Sequence, residues 1–280
     1  MTAHTPDRAH SAAPPPGDIG TGAIVPFILL TFGITWGLVA LMIWRGDLLE
    51  SLFGELGVAH PLYILAVWSP AIVAFALILT RAGPGGVRRF LGRLSPRTVT
   101  PAWWAFAFLA LPLVKICGAV LNGTPFHQLL VLQPFGAVLL VTAFMLILGP
   151  MEEFGWRGML LPLVQRLLAP VWSGVIVGFA WAIWHIPAFY LGGTPHTAWA
   201  LAPFIIGVTA VGVMMSVVYN RTGGNLLLPI VIHWQLNVAF WPEAQPWENY
   251  LNVALAVVLV WAHRDVMFDR RRAATVVVPD

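Results

Sequence analysis

Met151-Glu152-Glu153-Phe154-Gly155-Trp156-Arg157 places three charges within six residues, inside an apolar run that extends from about 135 to 161. Putting an ionisable group into hydrocarbon costs about 3 kcal/mol or more unless it is paired or wet. The chain has few charges to spend: of its 280 residues 59% are hydrophobic and 10% charged, and the mean hydropathy is +0.80. Soluble domains are nearer one quarter charged. The composition therefore predicts an all-α, polytopic membrane protein. Three charges in one of its spans mark a functional segment.

About 20 apolar residues are needed to cross the bilayer as a helix. Eight candidate spans follow, at roughly 24–44, 61–80, 101–121, 135–161, 171–190, 199–219, 225–241 and 247–263. Arg81, Arg88, Arg89, Arg93 and Arg97 occupy one connection without an acid. The positive-inside rule makes that connection cytoplasmic. Counting outward, Arg166, Arg221 and Arg264 to Arg272 also fall inside, and only Arg45 dissents. Both termini are then cytoplasmic, in what is expected to be the plasma membrane. The net charge of +3 reflects these connections and implies the lipid bilayer, with no nucleic acid, as a partner. Residues 1–23, with their Pro14-Pro15-Pro16 run, read as a disordered tail and lack the layout of a signal peptide. Residues 265–280 read as a cytoplasmic tail. The single cysteine, Cys117, excludes an internal disulfide.

Polar residues recur at one depth. Glu152 lies about 14 residues before Arg166 and His185 about 15 after Pro170, or roughly 21 Å from the same end of their helices at 1.5 Å per residue. His233 lies about 11 residues beyond Thr222, roughly 16 Å deep by the same rise. Three helices thus aim polar groups at one level. Glu153 and Arg157 share a helical face at i,i+4 and can neutralise each other. Glu152 is turned about 100° away and is left without that counter-ion. A buried, unpaired carboxylate holds its proton more tightly than one in water, which suits a general base acting on water. His185 could share that water. His233 and Asn237, also i,i+4, can offer hydrogen bonds to an oxyanion. Architectural readings stand beside each of these: a Glu–Arg clamp, and His and Asn as interhelical bonds. Lys115, near the end of its span, is expected to snorkel to the interface. Glu152, His185 and His233 would make a His₂Glu zinc set, but no His-Glu-x-x-His motif is present. A metal-free site is therefore expected, with zinc as the alternative.

These residues resemble a known family. Glu152-Glu153-x-x-x-Arg157 is similar to the EExxxR signature of the CPBP intramembrane endopeptidases, the CAAX-protease and bacteriocin-processing family. Trp181-x-x-x-His185 resembles its FxxxH, and His233-x-x-x-Asn237 its HxxxN. Tyr219 to Asn225 resembles the lead-in to the last motif. Order and spacing agree over about 135–241, which would be the catalytic core, with 24–134 as preceding membrane helices and 242–264 as the last span. The resemblance implies that Glu152 is the base, His185 its helper, His233 and Asn237 the oxyanion groups, and Glu153 and Arg157 supporting residues. Trp181 departs from the family's Phe and is expected to alter pocket shape only. The implied activity is hydrolysis of a peptide bond in a membrane-associated, possibly prenylated CAAX-like, protein or peptide. A non-enzymatic immunity or scaffold protein on the same fold is the alternative, with a proton-coupled carrier as a third reading.

Overall fold

The computed structural model describes residues 17–280, and among these the chain is helical with no strand. In order the helices are α1 (Ile24–Trp44), α2 (Gly46–Phe53), α3 (Pro61–Val67), α4 (Ser69–Leu91), α5 (Pro101–Leu121), α6 (Phe135–Leu148), α7 (Glu153–Gly155), α8 (Leu161–Gln165), α9 (Pro170–Trp184), α10 (Leu201–Arg221), α11 (Leu227–Asn237), α12 (Trp247–Ala262) and α13 (Arg264–Met267). Tight turns link some into longer rods. Six continuous helical stretches are long and apolar enough to cross a membrane: Thr21–Trp44, Pro61–Leu94, Pro101–Leu121, Phe135–Gln165, Pro170–Tyr190 and Leu201–Arg221. The protein is an integral, multi-pass, all-α membrane protein.

One of the eight expected spans is shorter than the hydropathy implied. Over 225–241 only α11 forms, with 11 residues, or about 16 Å of helix against a hydrocarbon core of about 30 Å. It stops because Val238 turns to extended backbone, and the next amide, Ala239 N–H, donates to Thr142 Oγ1 on α6. The last, expected over 247–263, forms as α12 over 16 residues. The connection expected from Arg81 to Arg97 is mostly helical. Gly83, with φ +68°, kinks α4 just before Pro84, because a residue preceding proline is pushed out of the α region and glycine alone tolerates this φ freely. The arginine-bearing half then leaves the direction of the apolar half.

Residues 1–16 of the expected tail lie outside the described residues. Its end is packed: Ile19 and Ala23 are fully buried. The Asp18 carboxylate pairs with Arg166 and accepts the amides of Val277 and Val278. Arg166 donates to Thr275 O at 2.9 Å, and Gln165 to Ala274 O at 2.7 Å. Asn220 joins the two, donating to Gln165 Oε1 and accepting from Ala274 N–H. The C-terminal segment expected as a tail is thereby strapped across the arginine-rich end, with Val277 and Val278 buried. Both ends of the described chain meet at this arginine-rich end.

The tightest packing lies between α9 and α10. Gly174 and Gly178 face Ser216 and Gly212, where a Cβ on Gly178 would stand 2.7 Å from Thr209 O. Small residues at a four-residue spacing let membrane helices approach this closely. That approach brings the α9 face bearing Trp181 onto the charged segment. Several tryptophans near helix ends, including Trp44, Trp172 and Trp261, are exposed, as an interfacial belt requires. Trp156 is instead sealed inside against Phe27 and Trp184.

Asp18→Ala would strand the Arg166 guanidinium and two backbone amides. Breaking a buried pair costs about 3–5 kcal/mol, so the variant should unfold several degrees below the parent in detergent. An unchanged midpoint would show that the strap contributes nothing.

Candidate active site

The rod carrying the charges is not a continuous α-helix. Pro150 interrupts it, so Gly149–Glu152 is a 3-10 turn. After α7, Trp156–Leu160 forms a π-turn. Such widened turns insert a residue without ending the helix. The i,i+4 pairing survives: Arg157 donates to Glu153 Oε1 at 2.9 Å, and both side chains are buried. The same oxygen accepts His233 Nδ1 at 2.7 Å. Glu153 is therefore held from its own helix and from α11.

Glu152 does face elsewhere. Its Oε2 accepts the Trp181 indole N–H at 2.7 Å. Trp181 is the hub: its carbonyl accepts His185 Nδ1 at 2.8 Å, its ring lies under the Arg157 guanidinium at 4.3 Å, and it packs 5.2 Å from the His233 ring. A carbonyl only accepts, so His185 Nδ1 carries the hydrogen and Nε2 is left with a lone pair. The departure from Phe at position 181 thus adds a hydrogen-bond donor as well as bulk.

Gly149 went unremarked in the sequence. A Cβ there would stand 2.5 Å from Asn237 Nδ2 and 2.9 Å from His233 Nε2. Only a glycine lets the end of α11 come this close. The Gly149-Pro150 pair directly before the acidic motif was the available signal. The start of α11 is set by the lead-in segment. Gly223 and Gly224 take φ +65° and +83°, and Asn225 Oδ1 then accepts the amides of Leu227 and Leu228. Arg93 fixes this turn to the charged rod, donating to Gly224 O and to Gly158 O.

Glu152, His185, His233 and Asn237 all line one cavity of about 370 Å³, together with Gly149 and Trp181. His196, from the connection between α9 and α10, also reaches it and stacks 5.5 Å from the His185 ring. Burial among aromatic rings pulls the His196 imidazole down to about 4, so it is neutral at pH 7 and brings no charge to His185. Lys115 does not snorkel away. It pairs with Glu248 at 3.1 Å, and both line the cavity.

The zinc alternative finds no clustered ligand set. Among the described residues no three His, Cys, Asp or Glu side chains stand close enough to share one. Glu152 Oε2 and both Nδ1 atoms are already bonded within the protein.

Residues 134–239 match the family model for Rce1-like type II CAAX prenyl endopeptidases. Over that block the chain is similar to the Rce1-like, CPBP family. The match begins one residue before the expected core and contains all seven motif residues. A CAAX prenyl protease 2 from Methanococcus maripaludis is 20% identical over 227 residues, covering 76% of this chain and 82% of the relative. Both likenesses are to CAAX prenyl proteases. The geometry above describes how its own side chains are arranged.

Arg157→Met would leave Glu153 buried with His233 alone. Removing one member of a buried pair costs about 3–5 kcal/mol, so the purified variant should show a clearly lowered thermal midpoint. A midpoint equal to the parent's would mean that Glu153 does not depend on the arginine.

Proposed function

We propose that the chain is an intramembrane endopeptidase of the glutamic type that hydrolyses a peptide bond in a membrane-associated protein or peptide. The observation that carries this is one cavity receiving Glu152, His185, His233 and Asn237 from three separate helical rods. The relative from Methanococcus maripaludis is named for CAAX prenyl proteolysis, which supports a prenylated, CAAX-like C-terminus as the substrate class.

In this reading a water donates its two hydrogens to Glu152 and to His185 Nε2. Its oxygen attacks the scissile carbonyl as Glu152 takes one proton. The new C–O bond places negative charge on the carbonyl oxygen, which Asn237 Nδ2, and His233 Nε2 when it bears hydrogen, would hold beside Gly149. Glu152 then gives its proton to the departing nitrogen, the C–N bond breaks, and a carboxylic acid, which still carries the water's second hydrogen, and an amine leave. Glu153 and Arg157 take no proton in this scheme: each neutralises the other and they orient His233. The metal-free form of this reaction rests on the described residues offering no cluster of three His, Cys, Asp or Glu side chains. The arginine-rich end is read as cytoplasmic, by the positive-inside rule, in the plasma membrane.

Purified protein should cleave a farnesylated CAAX peptide in detergent, and Glu152→Gln should lower kcat/KM by about 10²–10⁴-fold. Cleavage that survives this change would end the mechanism. Gly149→Ala should cost about 100-fold in kcat, since its methyl group must displace Asn237 or His233. A variant with wild-type kcat would place the oxyanion groups elsewhere.

A further inference from the structure

Lys115 is the only lysine in the chain, against fourteen arginines. It stands on α5, six residues from the end of that helix, or about 9 Å, well within reach of the interface. It turns inward instead. Its ammonium pairs with Glu248 on α12, with side chains only 14% and 12% exposed, and both groups line the same cavity as Glu152. Taking such a pair out of water is not repaid by the pair alone.

The pair is also incompletely used. An ammonium has three donors, and Lys115 spends one, on Glu248. One turn further along α12, Asn252 lines the cavity too, and its buried Oδ1 has no hydrogen-bond partner. Two free cationic donors and an open carbonyl acceptor suit one chemical group: the end of a peptide, with its carboxylate on the lysine and a backbone N–H on Asn252. The volume agrees. A cavity of about 370 Å³ falls at the small end of ligand pockets, about 300–1,000 Å³, and takes a few residues rather than a long polypeptide. Lys115, Glu248 and Asn252 all lie outside the matched block of 134–239, so the groups that would choose the substrate come from different helices than those that would cleave it.

We propose that Lys115 is a specificity-determining residue that binds the free C-terminal carboxylate of a short peptide tail, with Glu248 holding the ammonium in place until the substrate arrives. This rests on the peptidase reading and adds which residue would hold the free C-terminus of its substrate. Glu248 competes with the substrate for the same cation.

The test is binding, separated from turnover. A farnesylated tetrapeptide acid and its C-terminal amide are titrated into Glu152→Gln protein in detergent, with calorimetry as the readout. The acid should bind about ten-fold tighter or more, the usual scale of a charged hydrogen bond. The double variant Lys115→Met/Glu248→Gln on that background, which leaves no charge stranded, should bind both peptides alike. Glu248→Gln alone should strengthen acid binding and leave the amide unchanged. Equal affinity of acid and amide for the Glu152→Gln protein, preference for the acid kept in the double variant, or weaker acid binding in Glu248→Gln each overturns the proposal. Wild-type cleavage measured beside it tells the two claims apart. Cleavage without acid preference sinks only the carboxylate site; acid preference without cleavage sinks only the peptidase reading.

Discussion

One carboxylate oxygen organises the centre of this protein. Glu153 Oε1 accepts Arg157 at 2.9 Å and His233 at 2.7 Å. That joint ties the charged rod to α11 and gives a counter-ion to an acid that is fully buried. Without it, three polar helices would have no electrostatic reason to converge in an apolar protein. With it, His233 Nε2 and Asn237 are carried to Gly149, and Arg157 is held over the Trp181 ring. The adjacent Glu152 is then free of the arginine and bonded only through an uncharged indole.

Packing around the joint serves the same end. The glycine contact of α9 with α10 seats Trp181 against the charged rod, and Trp181 alone touches Glu152, Arg157, His185 and His233. Arg93 connects the π-turn to the glycine turn that starts α11 and to Val277 of the C-terminal strap. The arginine-rich end is thus a load path between the chain ends and the site, built mainly from backbone carbonyls that side-chain substitution cannot remove.

Much of this was legible beforehand. Charges in an apolar run are expensive wherever they sit, so Glu152, Glu153 and Arg157 announced themselves, and counting helix rise from the basic ends put His185 and His233 at nearly their level. The i,i+4 rule paired Glu153 with Arg157 and separated Glu152 correctly, even though the backbone there is 3-10 and π rather than α. What was missed has a common physical origin. Hydropathy does not register where a helix stops, so it extends α11 past Asn237. Periodicity does not register what a side chain meets on another helix. The sequence shows the bulk of Trp181 but not where its N–H donates, and it sends Lys115 to the interface because its partner, Glu248, is 133 residues away. Gly149 has no side chain to notice; its role is the room it leaves.

The division of labour between the two adjacent glutamates is the centre of this account, and their stabilities test it without any substrate. Thermal unfolding of Glu152→Gln and Glu153→Gln should be compared in one detergent. The account predicts that Glu152→Gln unfolds at the parent's midpoint or above, since an uncharged amide still accepts the Trp181 N–H and is easier to bury. Glu153→Gln should fall by several degrees, because Arg157 and His233 lose their shared anion. Equal losses, or a larger loss for Glu152→Gln, would contradict it.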